Sequence, residues 1–291
     1  MHTPPQRPRP ADGAANRLLT GPDGAGQRPR LWLIAGTGEG PLLAQQLLQR
    51  GWRLRVSVVT EAATRAYGSH PDLELVVGPL GDAGGGGSVA AVERELRRAR
   101  AMADPYPWLV DATHPFACRI SAALASACAA QGQPLLRLQR PLLPLGRAQL
   151  LEDLEDLPVH CRPGQRLLLA IGARRLAEAV RLCPAARHHA RVLPSAQALR
   201  QALAVGLSSD RLACLRPSAV SEPIEAALCR LWRIDTVLCR QSGGEGEGRW
   251  HRVSEAQGLR LLLLRRPPEP PGACGLALPE LLERVGVPGR L

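Results

Sequence analysis

Aromatic residues are scarce in this chain, at 3% of 291 residues with a single phenylalanine, and lysine is absent. The cores must therefore be built mostly of Leu, Val and Ala, and there is little with which to stack nucleic-acid bases. The net charge of +11 is carried by arginine dispersed along the sequence. Scattered guanidinium groups suit a small anionic ligand, because their fork grips carboxylate and phosphate bidentately. Nucleic acid is accordingly not expected as the main partner. No apolar run reaches the length of a membrane span and the first residues lack an apolar signal segment, so a cytoplasmic protein with no membrane partner is expected. The eight cysteines show no CxxC pair and no metal-ligand spacing, and read as reduced thiols packed as small hydrophobes. His188-His189 lacks the spacing that sets two ligands on one helix face. It reads as strand-edge polarity, and no metal is expected.

What is present alternates. LWLIAG (31–36), LRVSVVT (54–60), LELVVGPL (73–80), WLVDAT (108–113) and PLLRLQRP (134–141) read as strands. Helical runs at 41–51, 89–101 and 120–132 separate them, two of these closed by Gly51 and Gly132. A second series begins at RLLLAIG (166–172) and runs through HARVLP, RLACLRP and IDTVLCRQSGG to LRLLLLRRP (259–267). Such a β-α-β succession demands right-handed crossovers and parallel sheets covered on both faces. The expected fold is α/β, two Rossmann-like parallel-sheet domains with a cleft between them, over 30–141 and 142–267. Residues 1–29 read as a disordered Pro/Gly/Arg extension, 81–90 as a flexible loop, and 268–291 as a Pro-rich tail with room for one short helix.

In such sheets ligands bind beyond the carboxyl ends of the strands. AGTGEG (35–40) lies there, between the first strand and a helix. Gly36, Gly38 and Gly40 suit a close backbone approach to a phosphate, Thr37 can donate to an oxygen, and Glu39 can hold a ribose hydroxyl or cap the helix. Pro41 interrupts the G-x-G-x-x-G pattern, and a turn needing positive φ would also explain the glycines. DATHP with Ser121 follows another strand. It puts Asp111, Thr113 and His114 on one turn locked by Pro115, and a plain Asx turn is the structural alternative. SGGEGEG (242–248) follows a third strand, where a flexible loop is the ordinary meaning.

Taken in order, AGTGEGPLLA, VDATHPFACRIS, LLRLQRP, IGARRLAEAV, ARVLP, QSGGEGE and LLLLRRP resemble the precorrin-6A reductases, over residues 31–267. The resemblance implies an NADPH-dependent reduction of one double bond in a tetrapyrrole macrocycle of cobalamin synthesis, the cobalt-bound and metal-free forms staying open. After the second strand, Thr60 stands where an acid would favour NAD, and Arg65 suits a 2′-phosphate, with Glu61 arguing the other way. For the macrocycle, Thr113 and Ser121 can hydrogen-bond an oxyanion, and Arg119, Arg137, Arg140 and Arg174 can clamp carboxylates. Arg240, Ser242 and Gly243 complete the implied substrate set. Asp111 fixes the turn or orients His114, and His114 positions the substrate or donates a proton. The second half departs from the family pattern. Arg216-Pro217-Ser218 replaces a Gly-Pro-Phe, Arg240 replaces a Lys, and a Lys usual a few residues later is missing. A nucleotide- or tetrapyrrole-binding protein without catalysis is the alternative. Oligomeric state is not legible.

Overall fold

The computed structural model describes residues 28–36, 38–81, 87–216 and 221–289. The expected N-terminal extension falls almost wholly outside them, as do Thr37, most of the glycine loop and residues 217–220. The chain divides into two compact units, 1–139 with 268–291, and 140–267.

The first unit runs β1 (Arg30–Ala35), α1 (Glu39–Gln49), β2 (Arg53–Val58), α2 (Glu61–Thr64), β3 (Leu73–Val77), α3 (Gly87–Ala101), β4 (Leu109–Ala112), α4 (Cys118–Gln131) and β5 (Leu135–Leu138). Strand β1 shows why the sheet is covered on both sides. Leu31, Leu33 and Ala35 enter one apolar cluster, while Trp32 and Ile34 enter another. The period of two sends alternate side chains to opposite faces, and both faces are dry. Trp32 satisfies its indole N–H on Ser57 Oγ at 2.9 Å.

The second unit runs β6 (Gln149–Leu151), α5 (Leu157–His160), β7 (Arg166–Ala170), α6 (Leu176–Leu182), β8 (Arg187–Val192), α7 (Ala196–Ala204), β9 (Leu212–Cys214), α8 (Ser221–Leu231), β10 (Thr236–Arg240), α9 (Glu245–Gln257) and β11 (Arg260–Leu264). The chain then returns to the first unit as β12 (Cys274–Leu276) and α10 (Leu278–Val285). The sheets are ordered β12-β5-β4-β1-β2-β3 and β6-β11-β10-β7-β8-β9. All pairings in both are parallel. Five strands of each unit thus share one order. The units differ in the sixth, which comes last in the first unit (β12) and first in the second (β6); in each the strand order reverses beside the first long strand.

Three features differ from the sequence reading. The segment 268–291 forms the one short helix expected there but also a strand, and both join the first unit, because Leu281, Leu282 and Val285 bury one face of α10 in its core. SGGEGEG opens α9, whose glycines have poor helix propensity but whose Trp250 and Val253 are buried. Cys161 and Cys183, 22 residues apart, form a disulfide, since the turn before β7 lies beside the end of α6. The thiols of Cys128 and Cys229 fit the packing role, burial pushing both up to about 12.

His188 and His189 sit on β8, which lies between β7 and β9, and are buried instead of lining an edge. His189 packs on Trp232 with ring centroids 5.1 Å apart. Burial, aided by the charges of Arg187, Arg211 and Arg166, pushes its imidazole down to about 4. The unfolded chain binds that proton near pH ~6.5, so this contribution to stability is whole above that pH and is lost as pH falls toward 4. Urea unfolding is expected to lose about 2–3 kcal/mol from this group over that window, and His189→Gln to flatten that part of the profile. Among the described residues no helix is long and apolar enough to cross a membrane, and no three His, Cys, Asp or Glu are placed to hold a metal ion.

Candidate functional site

The order of the first sheet reverses between β1 and β4. The turns leaving these strands lie against each other there, since a Cβ built on Gly36 would stand 3.6 Å from Thr113 Cα and 3.8 Å from His114 N. Helix α1 starts at this point with Gly38 as its N-cap and Glu39 in its first turn. The space around Gly38 is open, whereas Gly40 is buried, and a Cβ there would meet the Tyr67 hydroxyl at 2.5 Å and Ala35 Cβ at 2.9 Å. None of these three glycines has positive φ. Gly40 therefore serves close packing of helix on strand, and Gly36 and Gly38 border the rim. After β2, Thr60 and Arg65 bracket α2 as its N-cap and C-cap, and both are exposed.

The DATHP turn is built from below. Asp111 Oδ1 accepts the Thr113 N–H at 2.9 Å, and Oδ2 accepts from Arg137 Nη1. Arg137, on the neighbouring strand β5, also donates to Ser121 Oγ at 2.5 Å and, through Nε, to Glu269. Thr113 Oγ1 and Ser121 Oγ lie 3.1 Å apart. Asp111, Ser121 and Arg137 are 1%, 1% and 2% exposed. The hydroxyls expected on a ligand thus face an internal guanidinium. Arg137, one of the expected carboxylate clamps, is instead the bolt under the turn. His114 remains half-buried above it, and its Nδ1 accepts the Phe116 N–H at 3.1 Å, so a neutral ring carries its proton on Nε2. Arg119, on the first turn of α4, is exposed.

The second sheet repeats this plan between β7 and β10. Gly172, at φ +84°, follows β7, and a Cβ on it would stand 3.0 Å from Arg240 Nη2. Arg240 thus lies over a turn that only glycine leaves room for, with exposed Arg174 two residues further on. Ser242 is buried, and its carbonyl accepts from Arg140 Nη1 at 3.4 Å. Gly243, at φ +69°, gives its N–H to Glu247 Oε2 at 2.6 Å. Arg266 donates to the Arg140 carbonyl at 2.6 Å, tying the turn to the end of β11. Glu247, Arg266 and Glu269 escaped sequence reading. The Glu247 signal was legible only as a carboxylate four residues past the glycine turn.

Two doubly wound units, each with a glycine turn and a polar turn apposed at its switch point, define a Rossmann-like α/β protein with its ligand rim at the carboxyl ends of the strands. The family model described as "Precorrin-6x reductase CbiJ/CobK" matches residues 30–285. A cobalt-precorrin-6A reductase of Synechocystis sp. is 36% identical over 249 residues, covering 83% of this chain and 90% of that protein. A precorrin-6A reductase of Rhodococcus erythropolis is 32% identical over 249 residues, covering 83% and 91%. A solved structure, CobK precorrin-6A reductase, has the same fold, with TM-score 0.69 at 23% identity over 90% of this chain and 100% of the other. The chain belongs to the precorrin-6x reductase family. It is an oxidoreductase of cobalamin biosynthesis acting on a CH–CH group, which implies a nicotinamide cofactor.

Proposed function

We propose that the chain is a cytoplasmic enzyme that reduces one double bond of precorrin-6A, or of its cobalt form, with NADPH. The apposition of the turns after β1 and β4, beside the open N-terminus of α1, carries this reading. The residues present fit the cofactor. The first amides of α1 can face a pyrophosphate, and the open space at Gly38 leaves room for it. Arg65 supplies the cation for a 2′-phosphate, with Thr60 beside it in place of an acid. Bound there, the cofactor supplies the hydride. The protein's own part is to position the macrocycle.

His114 presents an Nε2–H to a substrate carboxylate, its orientation fixed by the Phe116 amide. The turn beneath is held by Asp111, Thr113, Ser121 and Arg137, so these four act on the substrate through His114. Arg119 and Arg174 are the exposed guanidiniums for the macrocycle's acid side chains. Arg240, over Gly172, places a cation at the second rim.

The cofactor reading is tested by titrating NADPH and NADH into Arg65→Ala. NADPH affinity is expected to fall about tenfold, the worth of one exposed charge-assisted contact, while NADH affinity stays unchanged. An equal loss for both cofactors, or none, contradicts it. His114→Ala is expected to raise KM and leave a measurable kcat; a loss confined to kcat would make it the proton donor.

A further inference from the structure

The two sheets differ at the edge opposite their ligand rims. In the first unit the arginines that open the strands are neutralised. Arg30 and Arg53 pair with Asp104, Arg55 pairs with Glu74, and Arg28, just before β1, pairs with Asp72. At the same edge of the second sheet, Arg162, Arg166, Arg187, Arg211 and Arg260 open or precede β7, β8, β9 and β11. Among the described residues none of these five has a carboxylate within 4.0 Å. Residues 140–267 hold 20 arginines against 12 acids, so the chain's excess charge is concentrated here. Burial, and then the nearby Arg162 charge, weakens the hold of Arg260 on its proton.

A cavity of about 380 Å³ opens on this edge, lined by Arg162, Gln165, Asp235, Thr236 and Arg260 among others. Its walls are already fixed. The disulfide from Cys161 pins the residue next to Arg162. Gly164 donates to the Ala185 carbonyl at 2.9 Å, and Gln165 Oε1 accepts the Arg162 N–H at 2.9 Å. Arg260 is held by the His160 carbonyl at 2.6 Å and by Gln149 Oε1 at 2.8 Å. Asp235, the carboxylate in the lining, accepts the Arg166 backbone N–H at 2.7 Å. Gln165 is 8% exposed, and its Nε2 has no hydrogen-bond partner among the described residues. A buried donor in that state is costly, and it adds an unspent N–H to the wall that carries Arg162.

We propose that this cavity binds a small multivalent oxyanion, bearing phosphate or carboxylate groups, between Arg162 and Arg260. Arg162 supplies the exposed fork, and Arg260, spent on its own neighbours, supplies fixed charge. Because the loop is held before the ligand arrives, little ordering cost opposes binding. The site lies at the amino ends of β7, β10 and β11, and the substrate rim of the same sheet lies at their carboxyl ends, so it is distinct from that rim.

The test is calorimetric titration of the full chain, at low ionic strength and with NADPH saturating, using inorganic pyrophosphate and, separately, citrate. Saturable binding of at least one is expected, weakened about tenfold by Arg162→Ala and lost in Arg162→Glu. Arg200→Ala, an exposed arginine on α7, should leave binding unchanged. NADPH affinity, read independently, should be the same in Arg162→Glu as in the parent chain. Tighter pyrophosphate binding assigns phosphate chemistry, and tighter citrate binding assigns carboxylate chemistry. No saturable binding, or equal losses in Arg162→Ala and Arg200→Ala, overturns the site. So would duplex DNA that binds far more tightly than either small anion, because that outcome makes the edge a polyanion surface.

Discussion

Arg137→Met is expected to lower the free energy of unfolding by about 3–5 kcal/mol, read by urea denaturation at neutral pH. The side chain lies 2% exposed between Asp111, itself 1% exposed, and Glu269. Removing the cation leaves a buried carboxylate uncompensated, which costs far more than the pair contributes over an apolar substitute. Thr113 and Ser121 would lose their shared donor as well. Activity should fall with stability, because the turn carrying His114 rests on this guanidinium. Arg137→Lys separates the two effects. An ammonium restores charge but cannot serve Asp111, Ser121 and Glu269 from one planar fork. Most of the stability should return while kcat/KM stays depressed. A Met variant within about 1 kcal/mol of the parent chain would show that the network is dispensable.

Gly243→Ala is the second large effect, expected at roughly 2–4 kcal/mol with loss of turnover. At φ +69° an L-residue is strained, and its Cβ would run into the Pro141 carbonyl and the Arg266 guanidinium. The carbonyl is backbone and cannot swing aside, so the turn after β10 must open and Glu247 must give up its amide. Gly246 supplies the control. It lies in α9 with nothing within 4 Å of a built Cβ, so Gly246→Ala is expected to be neutral or to stabilise by about 0.5–1 kcal/mol. Equal effects at the two positions would remove the steric explanation.

The contrast shows what the sequence could disclose. The β-α alternation was legible because both-face burial writes continuous apolar runs such as LWLIA and RLLLL. Strands β6 and β12 were not, since QLL and CGL are defined only by their neighbours in the sheet. Helix α9 was hidden by glycines that loop composition explains equally well. DATHP was legible as a polar turn leaving a strand at its carboxyl end, yet the inward direction of Thr113 and Ser121 was not. That direction follows from Arg137, whose second carboxylate lies 132 residues away in the returning segment. Pairings at that separation leave no local pattern. Gly40 was singled out for a phosphate, but its role in packing against Tyr67 depends on a contact between elements.

The most direct measurement is anaerobic NADPH oxidation by the purified chain with precorrin-6A and, in parallel, its cobalt form. Stoichiometric oxidation with one macrocycle, and far slower oxidation with NADH, is the expected result. Tight NADPH binding with no oxidation in the presence of either macrocycle would contradict it, and would mean that the chain keeps the cofactor rim of this family but not its chemistry.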